Sequence, residues 1–436
     1  MHKGPVTRRR FLKTGTSTAL LAPALISSHV LAAAQSRSGA NDRIRVGLIG
    51  TGHRARALLK DSPPGLQYVA LADCDLRQIA GCRKWVRETC PEKLSETCSQ
   101  YQDYRQMLGT EKLDAVVVVT TAHARALLCL HAMQAGLDVY AEKPIALTIA
   151  EGQYLVRAEQ KYGCVFQTGT QQRSIPINNF GSELVKNGAI GRVHTVICPN
   201  FLGPELRPDL SAEPTPAEMN WDLWCNQTAL IPYSSRLHPG QGKWGRFRDY
   251  DGGGMSWGVS GWATHAFDQV QRALGTDDTP PVEIWPESEG PNCPVTLRYP
   301  SGTLLKLALP KGKGPALGAI FIGEKGKIEI NRNRVASNPP ELVVGAPVPE
   351  DRSEMASVAG RHLQNWADCM RIRNKPVAHA SIGHRVHVMC CLVNICRELQ
   401  RRLKWDPVRE EFVGDDQANA LRSRARRKGY ELPSAV

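Results

Sequence analysis

The chain of 436 residues has no C-x-x-C pair and no H-E-x-x-H spacing. The first absence leaves its 13 cysteines without the ligand spacing of a zinc ribbon or finger. The second leaves His362, His379, His384 and His387 without a metalloprotease helix, so no metal is expected. Beyond residue 34 no run is apolar and long enough to cross a bilayer. Acidic residues are the scarcer charge, 42 against 55 basic, yet the basic ones form no stripe interleaved with aromatics. No nucleic-acid module is visible, and nucleic acid is not an expected partner. Internal repeats and low-complexity tracts are absent as well.

The N-terminus reads as a targeting segment. Arg8-Arg9-Arg10-Phe11-Leu12-Lys13 precedes a moderately apolar run from Ser17 that ends in Leu31-Ala32-Ala33-Ala34. Paired arginines, a short apolar region and a small-residue cleavage site resemble a bacterial twin-arginine (Tat) signal. Residues 1–34 are therefore expected to be removed and 35–42 to be a polar linker, which makes the protein periplasmic or otherwise exported, with the Tat machinery as a partner. Five basic and no acidic residues lie in the signal, so the remainder carries about +8. The Tat route carries folded chains, so most cysteines are expected to be free thiols. One bridge among Cys82, Cys90 and Cys98 stays open. The basic cluster Arg422, Arg424, Arg426, Arg427 and Lys428 reads as a solvated tail.

The positive signal is Ile44-Arg45-Val46-Gly47-Leu48-Ile49 running into Gly50-Thr51-Gly52-His53-Arg54-Ala55, then Val69 to Asp73. A strand, a G-x-G-x-x-A turn, a helix and a second strand ending in an acid form a dinucleotide-binding fingerprint. Gly50 allows the tight turn, Gly52 lets the backbone approach a pyrophosphate, and the helix amides of Thr51, His53 and Arg54 point at that charge. Asp73 is placed for a ribose 2′-hydroxyl. Its carboxylate repels a 2′-phosphate, and no arginine follows in Cys74-Asp75, so NAD is expected over NADP.

Strands and helices alternate from there. Strands are expected at 44–49, 67–72, 114–120, 137–141 and 164–168, with helices near 53–60, 76–89, 101–108, 123–135 and 148–162. This predicts a doubly wound parallel Rossmann sheet over residues 43–168. The remainder, 169–403, reads as an α/β domain with a large, mostly antiparallel open sheet. Its strands are expected at 193–201, 281–286, 294–299, 303–309, 318–322 and 326–330, with a loop-rich stretch at 203–250 and helices near 355–373 and 383–402. Residues 404–436 are left as a C-terminal tail.

Glu142-Lys143-Pro144 ends a parallel strand about 90 residues after the glycine turn, where such sheets bind ligands. With Thr120-Thr121-Ala122-His123, Gly169 to Arg173, Asn220 to Trp224, Asp251 to Gly254 and Thr264 to Asp268, the chain resembles the Gfo/Idh/MocA oxidoreductases. The tail Trp405-Asp406-Pro407 resembles an exported bacterial subgroup. The resemblance implies an NAD(P)-dependent enzyme acting on CH–OH groups of a sugar or polyol. It also implies a homo-oligomer, dimer or tetramer, formed through the second sheet. Lys143 would stabilise the substrate oxygen or shuttle its proton, and Glu142 and Thr121 would lie at the cofactor. His123 would too, unless it is a core or cap histidine.

The family pairs an acid and a histidine as D-x-x-x-H. His265 matches the histidine and is the expected proton-transfer group, but Gly261 stands at the acid's position. Arg173, Trp244, Arg248, His265 and Asp268 are the candidate substrate-binding groups; Trp224, Tyr233 and His238 belong to the same loop-rich half. Export implies a tightly held NAD with a closed redox cycle. Two other readings stay open: a glycoside hydrolase using transient oxidation by NAD, and a sugar-binding relative without catalysis.

Overall fold

The structure, a computed structural model, describes residues 43–349, 357–434 and 436. The expected signal and linker lie outside the described residues. No described helix is long and apolar enough to cross a membrane.

The first sheet contains β1 (Ile44–Ile49), β2 (Leu66–Ala72), β3 (Leu94–Tyr101), β4 (Ala115–Val118), β5 (Asp138–Ala141) and β6 (Phe166–Thr168). Their order is β3-β2-β1-β4-β5-β6, and every pairing is parallel. Helices α1 (His53–Asp61), α2 (Leu76–Thr89), α3 (Tyr104–Thr110), α4 (Ala122–Gln134) and α5 (Ile149–Tyr162) connect them. The β-branched run at 115–118 is fully buried, as a central parallel strand covered on both faces requires. Local chemistry sets the helix starts. Asp75 caps α2, and Thr148 with Glu151 forms a reciprocal capping box on α5. Strand order reverses between β1 and β4, which opens a crevice at their carboxyl ends.

The second sheet joins β7 (Val193–Pro199), β8 (Glu283–Pro286), β9 (Val295–Arg298), β10 (Leu304–Leu309), β11 (Ala319–Gly323), β12 (Gly326–Asn331), β13 (Arg334–Asn338), β14 (Leu403–Asp406) and β15 (Glu411–Phe412). Their order is β13-β12-β11-β7-β10-β9-β8-β14-β15, antiparallel except between β7 and β10. One face packs Val196, Leu305, Leu307, Phe321 and Ile328 against α6 (Pro176–Lys186) and α7 (Trp262–Leu274). The other face carries half-buried Ile197, Leu304, Ile320 and Ile322 among Lys306, Lys327 and Glu329. Helix α8 (Ser357–Ile372) returns to the first sheet, where Trp366 donates to the Val165 carbonyl at 3.1 Å. Helix α9 (Ala380–Leu399) lies in the second core.

Three expectations change. Strand β3 and helix α6 occupy segments left unassigned, and Leu403–Asp406 with Glu411–Phe412 extends the second sheet into the supposed tail. The basic tail is not free in solvent: Arg426 pairs with buried Glu151, Arg427 pairs with Asp222, and Tyr430 is buried in the first core. All thirteen cysteines are free thiols, Cys82, Cys90 and Cys98 included.

Candidate active site

The carboxyl ends of β1, β2, β4 and β5 open into a cavity of about 760 Å³. Gly50 turns the chain with φ of +87°, and a Cβ there would meet the Val119 carbonyl oxygen at 2.6 Å. A Cβ on Gly52 would meet no atom within 4 Å, so its backbone faces open space at the start of α1. No side chain caps that helix, which leaves its first amides for an incoming anion. Asp73 lines the far end of the cleft. The Thr51 backbone amide and hydroxyl donate to its Oδ2 at 2.8 and 3.0 Å. The nearby Arg77 is held by both oxygens of Asp75, so it is not available to a 2′-phosphate. These groups fit the adenosine ribose and pyrophosphate of NAD.

At the opposite end, β5 delivers Glu142 and Lys143. Arg54 Nε donates to Glu142 Oε1 at 2.7 Å, and Gln171 donates to the same oxygen at 3.0 Å. Burial opposes ionisation of Glu142, but Arg54, Lys143 and Arg125 hold its pKa below the ordinary value. Lys143 Nζ donates to the Gly261 carbonyl at 3.0 Å. Burial lowers its pKa to about 8, against the opposing pull of Glu142 and Asp251. His265, on the first turn of α7, faces the same cavity. Burial and then the charges of Arg332, Lys143 and Arg54 push its pKa well below the usual range, so the imidazole is neutral.

The acid missing at position 261 has a steric explanation. Gly261 is the residue before α7, outside the helix, and a Cβ there would sit 2.0 Å from the Met255 carbonyl oxygen. The i, i+4 pairing on one helix therefore does not exist in this chain. A different carboxyl is buried close by. Asp251 is 1% exposed. Burial raises its pKa to about 6, and the cations opposing that rise are Arg125 and Lys143.

Gly50, Gly52, His53, Arg54, Asp73, Thr121, Glu142, Lys143, Trp244 and His265 all line the cavity, as do Trp224 and His238. Five expected site residues do not. Thr51 is fully buried and serves Asp73 instead of the cleft. His123 is buried beneath the wall, bonded through Nε2 to the Trp224 carbonyl at 2.8 Å, and burial lowers its pKa to about 4. Its ring packs edge-on against Trp224 and tilted against Tyr250. Arg173 and Asp268 pair with each other at 2.7 Å, and Arg173 also holds Asp277. Arg248 turns to Glu398 at 3.1 Å. No sequence signal pointed to Arg125 or Arg332, and Asp251 entered only as part of the resemblance, without a role. Arg332 reaches the cleft from the β12–β13 turn, 189 positions after Lys143, with no local motif to mark it.

A family model described as "Oxidoreductase family, NAD-binding Rossmann fold" matches residues 44–170, and its "C-terminal alpha/beta domain" companion matches 204–432. The chain belongs to the Gfo/Idh/MocA oxidoreductase family. Among Gfo/Idh/MocA relatives, inositol 2-dehydrogenase of Salmonella typhimurium is 29% identical over 28% of this chain and 33% of its own length. D-apiose dehydrogenase of Paraburkholderia graminis is 31% identical over 34% and 38%. The chain thus matches well under half of each of these relatives' lengths. Aldose-aldose oxidoreductase of Caulobacter crescentus, solved with glycerol, shares the fold with a TM-score of 0.57 at 17% identity, over 83% of this chain and 99% of that one. Levoglucosan dehydrogenase, solved with NADH and L-sorbose, gives 0.58 at 15%, over the same shares. NAD is the cofactor of this Rossmann family.

Proposed function

We propose that the protein is an exported, NAD-dependent oxidoreductase acting on a sugar, polyol or sugar derivative. The observation that carries this reading is Lys143. Its amine stands at the carboxyl end of β5 in the cleft, bonded to the Gly261 carbonyl, with a pKa near 8. NAD, when bound, supplies the hydride acceptor or donor. The α1 amides and Gly52 would hold its phosphates and Asp73 its adenosine ribose, with Glu142 and Lys143 at the other end of the cleft. Lys143 takes the proton from the substrate hydroxyl as the carbinol hydrogen leaves, and returns it in the reverse direction. His265, neutral beside it, hydrogen-bonds and orients that hydroxyl. This division places the proton on lysine, because an imidazole with so depressed a pKa is a poor acceptor.

The relatives' names, an inositol, an apiose and a levoglucosan dehydrogenase, support the sugar class. Export rests on Arg8-Arg9 and the run ending at Ala34, and it favours a resident cofactor recycled in place. The uncovered face of the second sheet is the proposed contact with a second copy, read out by light scattering. The test of the whole reading is mass spectrometry of small molecules released from the purified protein, followed by a sugar panel watched at the nicotinamide band. About one NAD per chain, reducible by a sugar, is expected. Protein that neither retains nor binds NAD sinks the reading.

A further inference from the structure

Arg332 sits in the tight turn between β12 and β13 and lines the reaction cleft. Its placement is fixed from several sides. The Asn331 side chain accepts from the Arg332 amide at 2.8 Å and from the Leu317 amide at 3.1 Å. Asn178 accepts from the Asn333 amide at 2.8 Å. Arg332 Nε donates to Gln172 Oε1 at 3.0 Å, and Gln172 is itself anchored on the Leu317 carbonyl at 2.8 Å. Neither terminal nitrogen of the guanidinium is bonded, and no carboxylate pairs with it, among the described residues. The neighbouring Arg54 differs, since Glu142 occupies it. Burial, with repulsion from Arg54, lowers the Arg332 pKa to about 10.

The cleft is lined by more cations than carboxylates. Its lining holds five cations, Arg54, Arg56, Arg125, Lys143 and Arg332, against two carboxylates, Asp73 and Glu142. Asp251 adds a third carboxyl acting on Lys143 from behind the lining. NAD+ brings two phosphate charges and one pyridinium, a net of about −1. The lining and bound NAD together therefore leave a cationic cleft, and Arg332 is a cation in it without a carboxylate partner among the described residues. Arg332 ranks ahead of Arg54 among the charges acting on both Lys143 and His265. Arg332 thus acts on the two candidate reacting groups more strongly than Arg54 does.

We infer that Arg332 is the carboxylate-binding residue of the substrate pocket, and that the sugar this site takes is a sugar acid. A guanidinium with its fork pre-set accepts a carboxylate through two parallel bonds, which a neutral hydroxymethyl group cannot offer. The inference rests on the oxidoreductase reading for the position of the reacting centre, but its test does not require turnover.

The test uses the NAD-loaded full chain and three pairs of probes: D-glucuronate and D-glucose, D-galacturonate and D-galactose, D-mannuronate and D-mannose. Binding is followed by calorimetry. At least one acid is expected to bind ten times more tightly than its parent sugar, with the advantage lost in Arg332→Gln and partly kept in Arg332→Lys. NAD content is measured in each variant and is expected to stay at the wild-type level. If no acid outbinds its parent in the wild type, the inference is overturned, whatever the variants do. Loss of NAD from Arg332→Gln also overturns it, because the guanidinium then serves the cofactor phosphates. Acid-selective binding without any reduction of the bound nicotinamide leaves the anion site standing and counts against the dehydrogenase reading; turnover without acid preference does the reverse.

Discussion

Replacing Lys143 by arginine keeps a cation in the cleft but removes a group able to give up its proton near neutrality. The native ammonium titrates at about 8 in place of 10.5, a lowering worth about 3 kcal/mol. At pH 7 about one chain in ten then carries the free amine, against about three in ten thousand for an unperturbed lysine. Sugar oxidation draws on the amine. Single-turnover reduction of bound NAD is therefore expected to climb about tenfold per pH unit up to about pH 8 and to level off above it. The reverse reaction draws on the ammonium and declines above the same point. Lys143→Arg is expected to lose about 10²–10⁴-fold in rate while retaining its NAD. Stopped-flow absorbance from about pH 6 to about pH 9.5 reads both. The same lowering is a folding cost that is complete below about pH 8 and fades as pH rises toward 10.5, where the unfolded lysine also loses its proton. A flat rate profile across this range, or an arginine variant within threefold of wild type, refutes the assignment.

Restoring the family's acid with Gly261→Asp is expected to cost stability and abolish turnover, since the new Cβ meets the Met255 backbone oxygen at 2.0 Å. Overpacking of this kind costs about 1–3 kcal/mol, and denaturant melts check it. Arg173→Ala leaves buried Asp268 without its partner, so a loss of about 3–5 kcal/mol is expected. Sugar KM per folded molecule should change little, and a large KM rise at intact stability would return Arg173 to the substrate site. Asp73→Ala removes the proposed ribose acceptor. It is expected to weaken NAD binding by roughly 1.5–3 kcal/mol and to narrow the preference over NADP, as measured by calorimetric titration.

What the sequence made legible follows from where each residue stands. The fingerprint from Ile44 to Asp73 is local: Gly50 is constrained by the facing Val119 carbonyl, and Gly52 by the open space its backbone must present to a ligand. Central strands such as Ala115–Val118 must be apolar on both faces and so stand out. The strands that escaped notice lie at or next to sheet edges: Leu94–Tyr101 bounds the first sheet, and Arg334–Asn338 and Glu411–Phe412 bound the second. An edge strand meets water, so Leu-Ser-Glu-Thr-Cys-Ser-Gln-Tyr folds as β without an apolar run. Polar residues misled in the opposite direction. Arg173 with Asp268, and His123 with the Trp224 carbonyl, resemble site chemistry by type, yet each satisfies the other's or the backbone's buried polarity. Arg332 escaped because only the packing of the second domain over the first brings a β-turn to Lys143.

The loop from Asp251 to Gly261 ties the missing acid to the buried one, Asp251. The chain coils so closely there that a Cβ on Gly254 would meet Asp251 Oδ2 at 2.2 Å, and one on Gly258 would meet the Gly253 carbonyl oxygen at 2.0 Å. Side chains are excluded at these positions and at 261, and the carboxyl of Asp251 fills the space over Gly254. The same coil turns the Gly261 carbonyl toward Lys143. An acid one helical turn before His265 would have raised the histidine's pKa. Without it burial prevails, and the nearby charges of Arg332, Lys143 and Arg54 push the His265 pKa further down. The carboxyl acts on Lys143 instead and opposes the fall that burial imposes on the lysine. Losing one carboxylate and burying another are thus two results of one backbone path, and both favour the proposal that Lys143 rather than His265 handles the proton.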